Sequence, residues 1–295
     1  MTSSNDAFHR QAGPYQAAGS LQGQTLLISG GSRGIGLAIA RRAAQDGANI
    51  VLLAKTGEPH PRLAGTVYTA AEELVAAGGQ ALPLVGDVRN DDDVARAVAS
   101  AIDRFGGIDV VVNNASAIDL SRTDDVDMKK YDLMQDINVR GTFLMSKLAL
   151  PALRASRRGH ILTLSPPLNL DPHWAGKHLA YTVAKYGMSL TTLGLAEELK
   201  ADGIRVNSLW PCTLIDTAAI RNMPQGEVMV QAARDPQIMA DAAHAVLTGS
   251  NLGAGGRPSG NFYTDEEVLA AAGVTDFRPY SLGAPEESLV PDIFL

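Results

Sequence analysis

Tyr181 and Lys185 stand four residues apart in Tyr181-Thr182-Val183-Ala184-Lys185, a spacing that puts both side chains on one face of a helix. A phenol, with a pKa of ~10, is a poor acid or base near neutrality. An ammonium beside it favours the phenolate and draws its titration toward neutral pH. A surface Tyr–Lys pair would do none of this, so the spacing needs context. His160-Ile161-Leu162-Thr163-Leu164-Ser165 supplies it. This apolar run reads as a strand ending in a hydroxyl, at the edge where parallel sheets bind their ligands. The expectation is that Ser165 hydrogen-bonds a substrate oxygen and Tyr181 exchanges a proton with it.

A second constellation lies near the start. Thr25-Leu26-Leu27-Ile28-Ser29 runs into Gly30-Gly31-Ser32-Arg33-Gly34-Ile35-Gly36, a strand, a glycine turn and a helix start. Gly30, Gly34 and Gly36 allow the positive φ and close backbone approach that a pyrophosphate requires. The helix from Ile35 offers unpaired N–H groups to its oxygens. A dinucleotide is the expected ligand. The same stretch also fits the G-x-S-x-G elbow of α/β hydrolases, with Ser32 as nucleophile; elbows normally follow a later strand, yet the alternative stays open. The second strand, Ile50–Ala54, ends in Lys55-Thr56 with no acid before Glu58. A carboxylate there would repel a 2′-phosphate. Two cations, Arg33 and Lys55, and the Thr56 hydroxyl suit that dianion, so NADP(H) is expected ahead of NAD(H).

These groups need a frame. Short apolar runs alternate with amphipathic stretches, the βαβ pattern of a parallel sheet. Strands are expected at Thr25–Ser29, Ile50–Ala54, Ala81–Val85, Val110–Asn113, His160–Leu164 and Arg205–Leu209, with a seventh near Gly260–Thr264. Helices are expected from about Ile35 to Asp46, Val67 to Ala77, Asp91 to Phe105, Met128 to Ala155 and Ala180 to Ala201. Continuous apolar strands such as Val110-Val111-Val112 require helices on both faces. The fold class is therefore α/β: a single-domain, Rossmann-type, doubly wound parallel sheet of about seven strands. Residues 1–20 read as a frayed leader and 21–295 as the domain, with a tail at about 265–295.

Composition narrows the function. With 25 Lys+Arg against 32 Asp+Glu the net charge is −7, and no basic run exceeds two residues, which disfavours nucleic acid and anionic membranes as partners. No apolar run approaches the ~20 residues of a membrane span. Cys212 is the single cysteine, which excludes an internal disulfide and a cysteine metal cluster; it reads as a small filler. His173, His178 and Asp171 share a loop without a metal-ligand spacing, so no metal is expected. Asp91-Asp92-Asp93 and Asp124-Asp125 read as helix starts. Ile215, Ile220, Met223, Val228, Met229, Val230 and Ile238 are divided between core and an adaptable apolar wall, which points to a lipophilic substrate.

From about Leu21 to Asn261 the sequence resembles the short-chain dehydrogenase/reductase superfamily. Five segments carry the likeness in order: the glycine loop, Asp87-Val88, Asn113-Asn114-Ala115, Ser165, and Tyr181 with Lys185. The resemblance implies an oxidoreductase that moves a hydride between NADP(H) or NAD(H) and an alcohol/carbonyl pair. By the same resemblance Ser165 would polarise the carbonyl, Tyr181 would be the acid/base, and Lys185 would bind the nicotinamide ribose and lower the Tyr181 pKa. Asn138 would hold a relay water, Asp87 and Val88 would meet the adenine, and Asn114 with Ala115 would border its ribose. Pro211, Thr213 and Leu214 would approach the carboxamide, Arg33 the 2′-phosphate, and the stretch at about 213–240 would be the substrate lid. A non-catalytic dinucleotide sensor is the other class that this fold allows.

Two departures stand out. Ser165 and Tyr181 lie further apart than is usual in the family, and Cys212 replaces a glycine after Pro211. Ala54–Pro61, Ser165–Leu170, Leu209-Trp210-Pro211 and Pro291–Leu295 resemble a narrower set, the hydroxysteroid dehydrogenase-like protein 2 group, whose mammalian members add a sterol-carrier domain. The expectation here is a cytoplasmic enzyme without that domain, forming a homodimer or homotetramer as the superfamily does.

Overall fold

The computed structural model describes residues 13–60, 64–223, 225–249 and 259–295. In chain order they form β1 (Thr25–Ser29), α1 (Gly34–Gln45), β2 (Asn49–Ala54), α2 (Val67–Ala76), β3 (Gln80–Val85), α3 (Asp91–Phe105) and β4 (Val110–Asn113). Then come α4 (Met128–Met134), a π-helical turn (Gln135–Arg140), α5 (Gly141–Ala155), β5 (His160–Thr163), α6 (Pro172–Lys177), α7 (Leu179–Glu198) and β6 (Arg205–Trp210). The remainder is α8 (Ala218–Arg221), α9 (Gly226–Met229), α10 (Gln237–Thr248), β7 (Phe262–Thr264) and α11 (Asp265–Ala271).

All neighbouring strands pair in parallel, in the order β3-β2-β1-β4-β5-β6-β7. Because strand side chains alternate between faces, each apolar run feeds two cores. Leu26, Ile28, Ile50, Leu52 and Leu162 meet one cluster with α1 and α10 residues such as Ile39 and Met239. Leu27, Val51, Val111, Ile161 and Val206 meet the other with Val94, Met145 and Leu195 of α3, α5 and α7. Burial on both faces is the reason these strands are continuous in Val, Ile and Leu. The strand order reverses at β1 and β4, which opens a crevice at their carboxyl ends.

Three expectations change. The helix expected over Met128–Ala155 runs without a gap but carries a π turn at Gln135–Arg140, and π turns recur at functional sites because they re-aim one side chain; here that is Asn138. Of the expected leader, residues 1–12 lie outside the described residues, whereas Tyr15 packs against the core and Gln16, Ala17, Ala18 and Ser20 are exposed. The Tyr15 hydroxyl is 3.1 Å from His244 Nδ1 and its ring meets the imidazole edge-on, since burying that aromatic face outweighs the entropy of a free strand. The expected lid is divided: Ile220, Met223 and Met229 face a cavity, while Val230 and Ile238 are buried in the body and Val228 is exposed.

After α11 the chain returns over the carboxyl edge of the sheet. Arg234, almost fully buried, ties this return down through Glu266 at 2.8 Å, Glu286 at 2.6 Å and the Phe277 carbonyl at 3.0 Å. Val290 accepts from Leu214 N–H, and Asp292 N–H donates to the Cys212 carbonyl, 2.9 and 3.0 Å respectively. Residues 290–292 thus run beside 212–214 and are carried to the mouth of the crevice. Among the described residues no helix is long and apolar enough to cross a membrane, and no group of three His, Cys, Asp or Glu could hold a metal.

Candidate active site

A cavity of about 670 Å³ fills the crevice. Its floor is the glycine turn. Gly30 has φ +71 and Gly34 φ +58, and Gly30 N–H donates to Leu53 O at 2.9 Å. A Cβ on Gly30 would come within 3.0 Å of Ala115 Cα, and one on Gly36 within 2.5 Å of Asn114 Nδ2. Asn114 explains the crowding: its amide donates to the carbonyls of Ser29 and Gly30 at 3.1 and 3.0 Å. The turn is pinned from the neighbouring strand, leaving only room for backbone at the start of α1. That cradle fits a pyrophosphate.

At the far end Arg33, Lys55, Thr56, Asp87 and Val88 line the same cavity. Arg33 donates to the carbonyls of Ala64 and Gly65, 3.0 and 2.8 Å, and to Thr56 Oγ1, 3.3 Å. Lys55 Nζ lies 3.3 Å from Asp87 Oδ2, and Arg89 clasps the same carboxylate at 2.7 Å. Burial works against the Asp87 charge, but the hydrogen bonds from Arg89 and the Lys55 cation outweigh it and hold the group down to about 2.

The chemical end is built by α7. Tyr181 and Lys185 are 4% and 3% exposed and line the cavity together. Lys185 Nζ donates to Leu164 O at 2.9 Å and sits 5.0 Å from the Trp210 ring centre. Burial lowers the Lys185 pKa to about 7, opposed by the Asp292 carboxylate. Burial also raises the Tyr181 pKa above the usual phenol value, Asp292 adds to this, and the Ser116 side chain counters it. Asp292 is itself pushed up to about 7 by burial, against the pull of Ile293 N–H and Lys185.

Asn138 clamps a loop. Its Oδ1 accepts from Ala117 N–H at 2.7 Å, and its Nδ2 donates to Ala117 O at 3.0 Å. Ser165 is not brought to the cavity. Its side chain is wholly buried and its Oγ lies 2.8 Å from Ser208 Oγ. The pleat is the cause: Leu162 and Leu164 enter the α10 core, so Ile161, Thr163 and Ser165 face the opposite side, under α7. Pro211 and Leu214 line the cavity, whereas Thr213 does not, and its Oγ1 is buried without a partner. Cys212 N–H is held by Asp265 Oδ1 at 2.8 Å. Burial, with Asp265, pushes the Cys212 thiol up to about 12, which disfavours the thiolate. Ser32 lines the cavity, but none of the described histidines does, so the hydrolase alternative has no base.

A family model described as short chain dehydrogenase matches residues 24–227. The chain belongs to the short-chain dehydrogenase family. It is 54% identical over 277 residues to hydroxysteroid dehydrogenase-like protein 2 of Xenopus laevis, covering 94% of this chain and 64% of that one. The human protein of the same name is 50% identical over 280 residues, with the same coverage. The chain thus spans a little under two thirds of the length of these curated relatives. A solved short chain dehydrogenase from Mycobacterium thermoresistibile is 49% identical with a TM-score of 0.86, covering 94% of this chain and 96% of that one. This family consists of NAD(P)-dependent oxidoreductases that act on CH–OH groups.

Three features escaped sequence reasoning: Ser116 and Asp292, which line the cavity, and the aromatic group of Trp174 and Trp210 around Phe294, whose ring meets Tyr181. Ser116 follows the Asn113-Asn114-Ala115 motif directly, which is the one signal that could have found it.

Proposed function

We propose that this chain interconverts an alcohol and a carbonyl on a lipophilic substrate, with NADP(H) as cofactor, Tyr181 as acid/base and Lys185 as its cationic partner. The observation that carries the proposal is the burial of Tyr181 and Lys185 side by side in the cavity that also holds the glycine cradle. The bound nicotinamide would supply or accept the hydride. The cradle at Gly30, Gly34 and Gly36 would take the pyrophosphate, Asn114 and Ala115 would border it, and Asp87 with Val88 would take the adenine end. Arg33, Lys55 and Thr56 would take a 2′-phosphate.

Burial penalises the Tyr181 phenolate, so a proton leaves the phenol only against a nearby cation. Lys185 is that cation, and Asp292 sustains its charge where burial would remove it. Ile118, Leu120, Ile215, Ile220, Met223 and Met229 line the cavity, an apolar wall suited to a hydrocarbon chain. Exposed Phe143, Val183, Leu190 and Leu193 on α5 and α7 are the surface we assign to a second copy of the chain.

Tyr181→Phe tests the reading. General acid/base catalysis contributes roughly 10²–10⁴ in rate, so the variant should lose at least about a hundredfold in kcat while binding NADPH as the wild type does. Undiminished turnover overturns the assignment. NADPH binding without turnover in the wild type, over a panel of medium- and long-chain aldehydes and ketones, points to a dinucleotide sensor instead.

A further inference from the structure

A carbonyl oxygen that takes a proton from Tyr181 has two lone pairs, and a second donor is needed to orient and polarise it. Ser165 cannot be that donor as the chain is folded. The Ser208 hydroxyl donates to Thr192 Oγ1 at 2.9 Å, so the contact of 2.8 Å between Ser165 and Ser208 uses the Ser165 proton. Both groups are wholly buried, and neither lines the cavity.

Ser116 has the opposite environment. It follows β4 at the carboxyl edge of the sheet, is exposed, and lines the cavity with Tyr181. Its hydroxyl makes a long contact of 3.4 Å to Ala117 O, too weak to hold the proton, and hydrogen-bonds the Tyr181 side chain, whose pKa it lowers. Its backbone, by contrast, is fixed from both sides. The N–H groups of Asn114 and Ala115 donate to Ser29 Oγ at 3.2 and 3.1 Å, and the Asn138 amide grips Ala117 at both backbone groups. A hydroxyl that reaches the acid itself is thereby held on a rigid loop, where a substrate oxygen placed against Tyr181 would meet it. This is the preorganisation that polarisation of a carbonyl requires.

We propose that Ser116, at the end of β4, is the second hydroxyl that hydrogen-bonds the substrate oxygen, in the role expected of Ser165. The proposal rests on the oxidoreductase reading of the site. Ser116 keeps its proton throughout and only donates a hydrogen bond; Tyr181 alone transfers a proton to the oxygen. The role also gives Asn138 a function as a positioning residue, since its π-turn side chain sets the loop that carries Ser116.

The test compares Ser116→Ala, Ser116→Thr, Ser165→Ala and Tyr181→Phe with the wild type, using NADPH and 2-decanone. Loss of one donor at a developing oxyanion costs about 10²–10³ in kcat. Ser116→Ala should fall by that order with unchanged NADPH affinity, Ser116→Thr should recover part of the rate, and Ser165→Ala should stay within about threefold of wild type while melting earlier, having lost only a buried hydrogen bond. A second readout does not depend on turnover. The carbonyl stretch of ¹³C-labelled 2-decanone, bound with oxidised cofactor, should move toward its free frequency in Ser116→Ala and stay put in Ser165→Ala. The reverse pattern, in rate or in stretch, overturns the proposal. A wild type no faster than Tyr181→Phe overturns the oxidoreductase reading, and this inference with it.

Discussion

The ring of Phe294 lies almost parallel to that of Tyr181, 24° between planes and 6.2 Å between centres. Trp174, Tyr186 and Trp210 surround the same phenylalanine at 6.1, 5.3 and 6.0 Å, and Trp210 Nε1 donates to Ile293 O at 2.9 Å. Phe294 adopts φ 79, a left-handed conformation that costs a non-glycine residue on the order of 1–3 kcal/mol. The aromatic contacts offset that cost and anchor the segment whose Pro291, Asp292 and Ile293 line the cavity.

Phe294→Ala should release this segment. The sequence contains two tryptophans, Trp174 and Trp210, and both belong to the cage. Their emission should shift to the red, acrylamide should quench them more strongly, and turnover should fall. Unchanged fluorescence would show that the cage is held without Phe294.

Asp292 links the segment to pH. Its carboxyl is raised from 3.8 to about 7 by burial, so between about pH 4 and 7 the folded state binds more protons than the unfolded one. Stability from this group is complete below about pH 4 and is lost as the pH rises through about 7. Asp292→Asn does not titrate. Urea unfolding should show the variant gaining on the wild type as pH rises from 4 to 8, and a gap that shrinks over that interval would contradict the placement. Lys185, Tyr181 and Asp265 all act on this carboxyl or feel its charge. The loss of its charge should also lower the Lys185 pKa, moving the alkaline limb of NADPH affinity to lower pH.

The proposed preference for NADPH rests on Arg33 and Lys55. A charge-assisted contact is worth about 1.5–3 kcal/mol, so the double variant Arg33→Ala, Lys55→Ala should weaken NADPH binding by more than about a hundredfold. NADH binding should change only a few-fold. Calorimetry on both proteins checks this, and equal losses for the two cofactors would assign the pair to the loop rather than to a phosphate.

Gly36→Ala should disturb the cradle, because its new Cβ would meet Asn114 Nδ2 at 2.5 Å and Gly30 O at 2.8 Å. Overpacking of this kind costs about 1–3 kcal/mol, and NADPH binding should fall with it. Gly107→Ala is the control, since a Cβ there meets nothing within 4 Å. Unfolding midpoints and NADPH titrations of the two variants should separate clearly.

What the sequence by itself determined is local. Val110-Val111-Val112 must be a strand covered on both faces. The Gly30, Gly34 and Gly36 spacing needs only its own turn, and the four-residue step from Tyr181 to Lys185 needs only one helix. All seven strands were legible within one or two residues, because period and turn chemistry act over a few neighbours. Tertiary structure alone decided the rest. Ser165 reads as a strand-end hydroxyl, yet the pleat turns it under α7 toward Ser208; the extra length before Tyr181 is the one sign in the sequence. Asn138 clamps Ala117 because a π turn lies within a helix whose apolar pattern runs on unbroken. Asp292 and Phe294 reach Lys185 and Tyr181 across more than a hundred residues. Nothing in their neighbours encodes that contact, because global burial, and not local propensity, brings the closing segment back to the site.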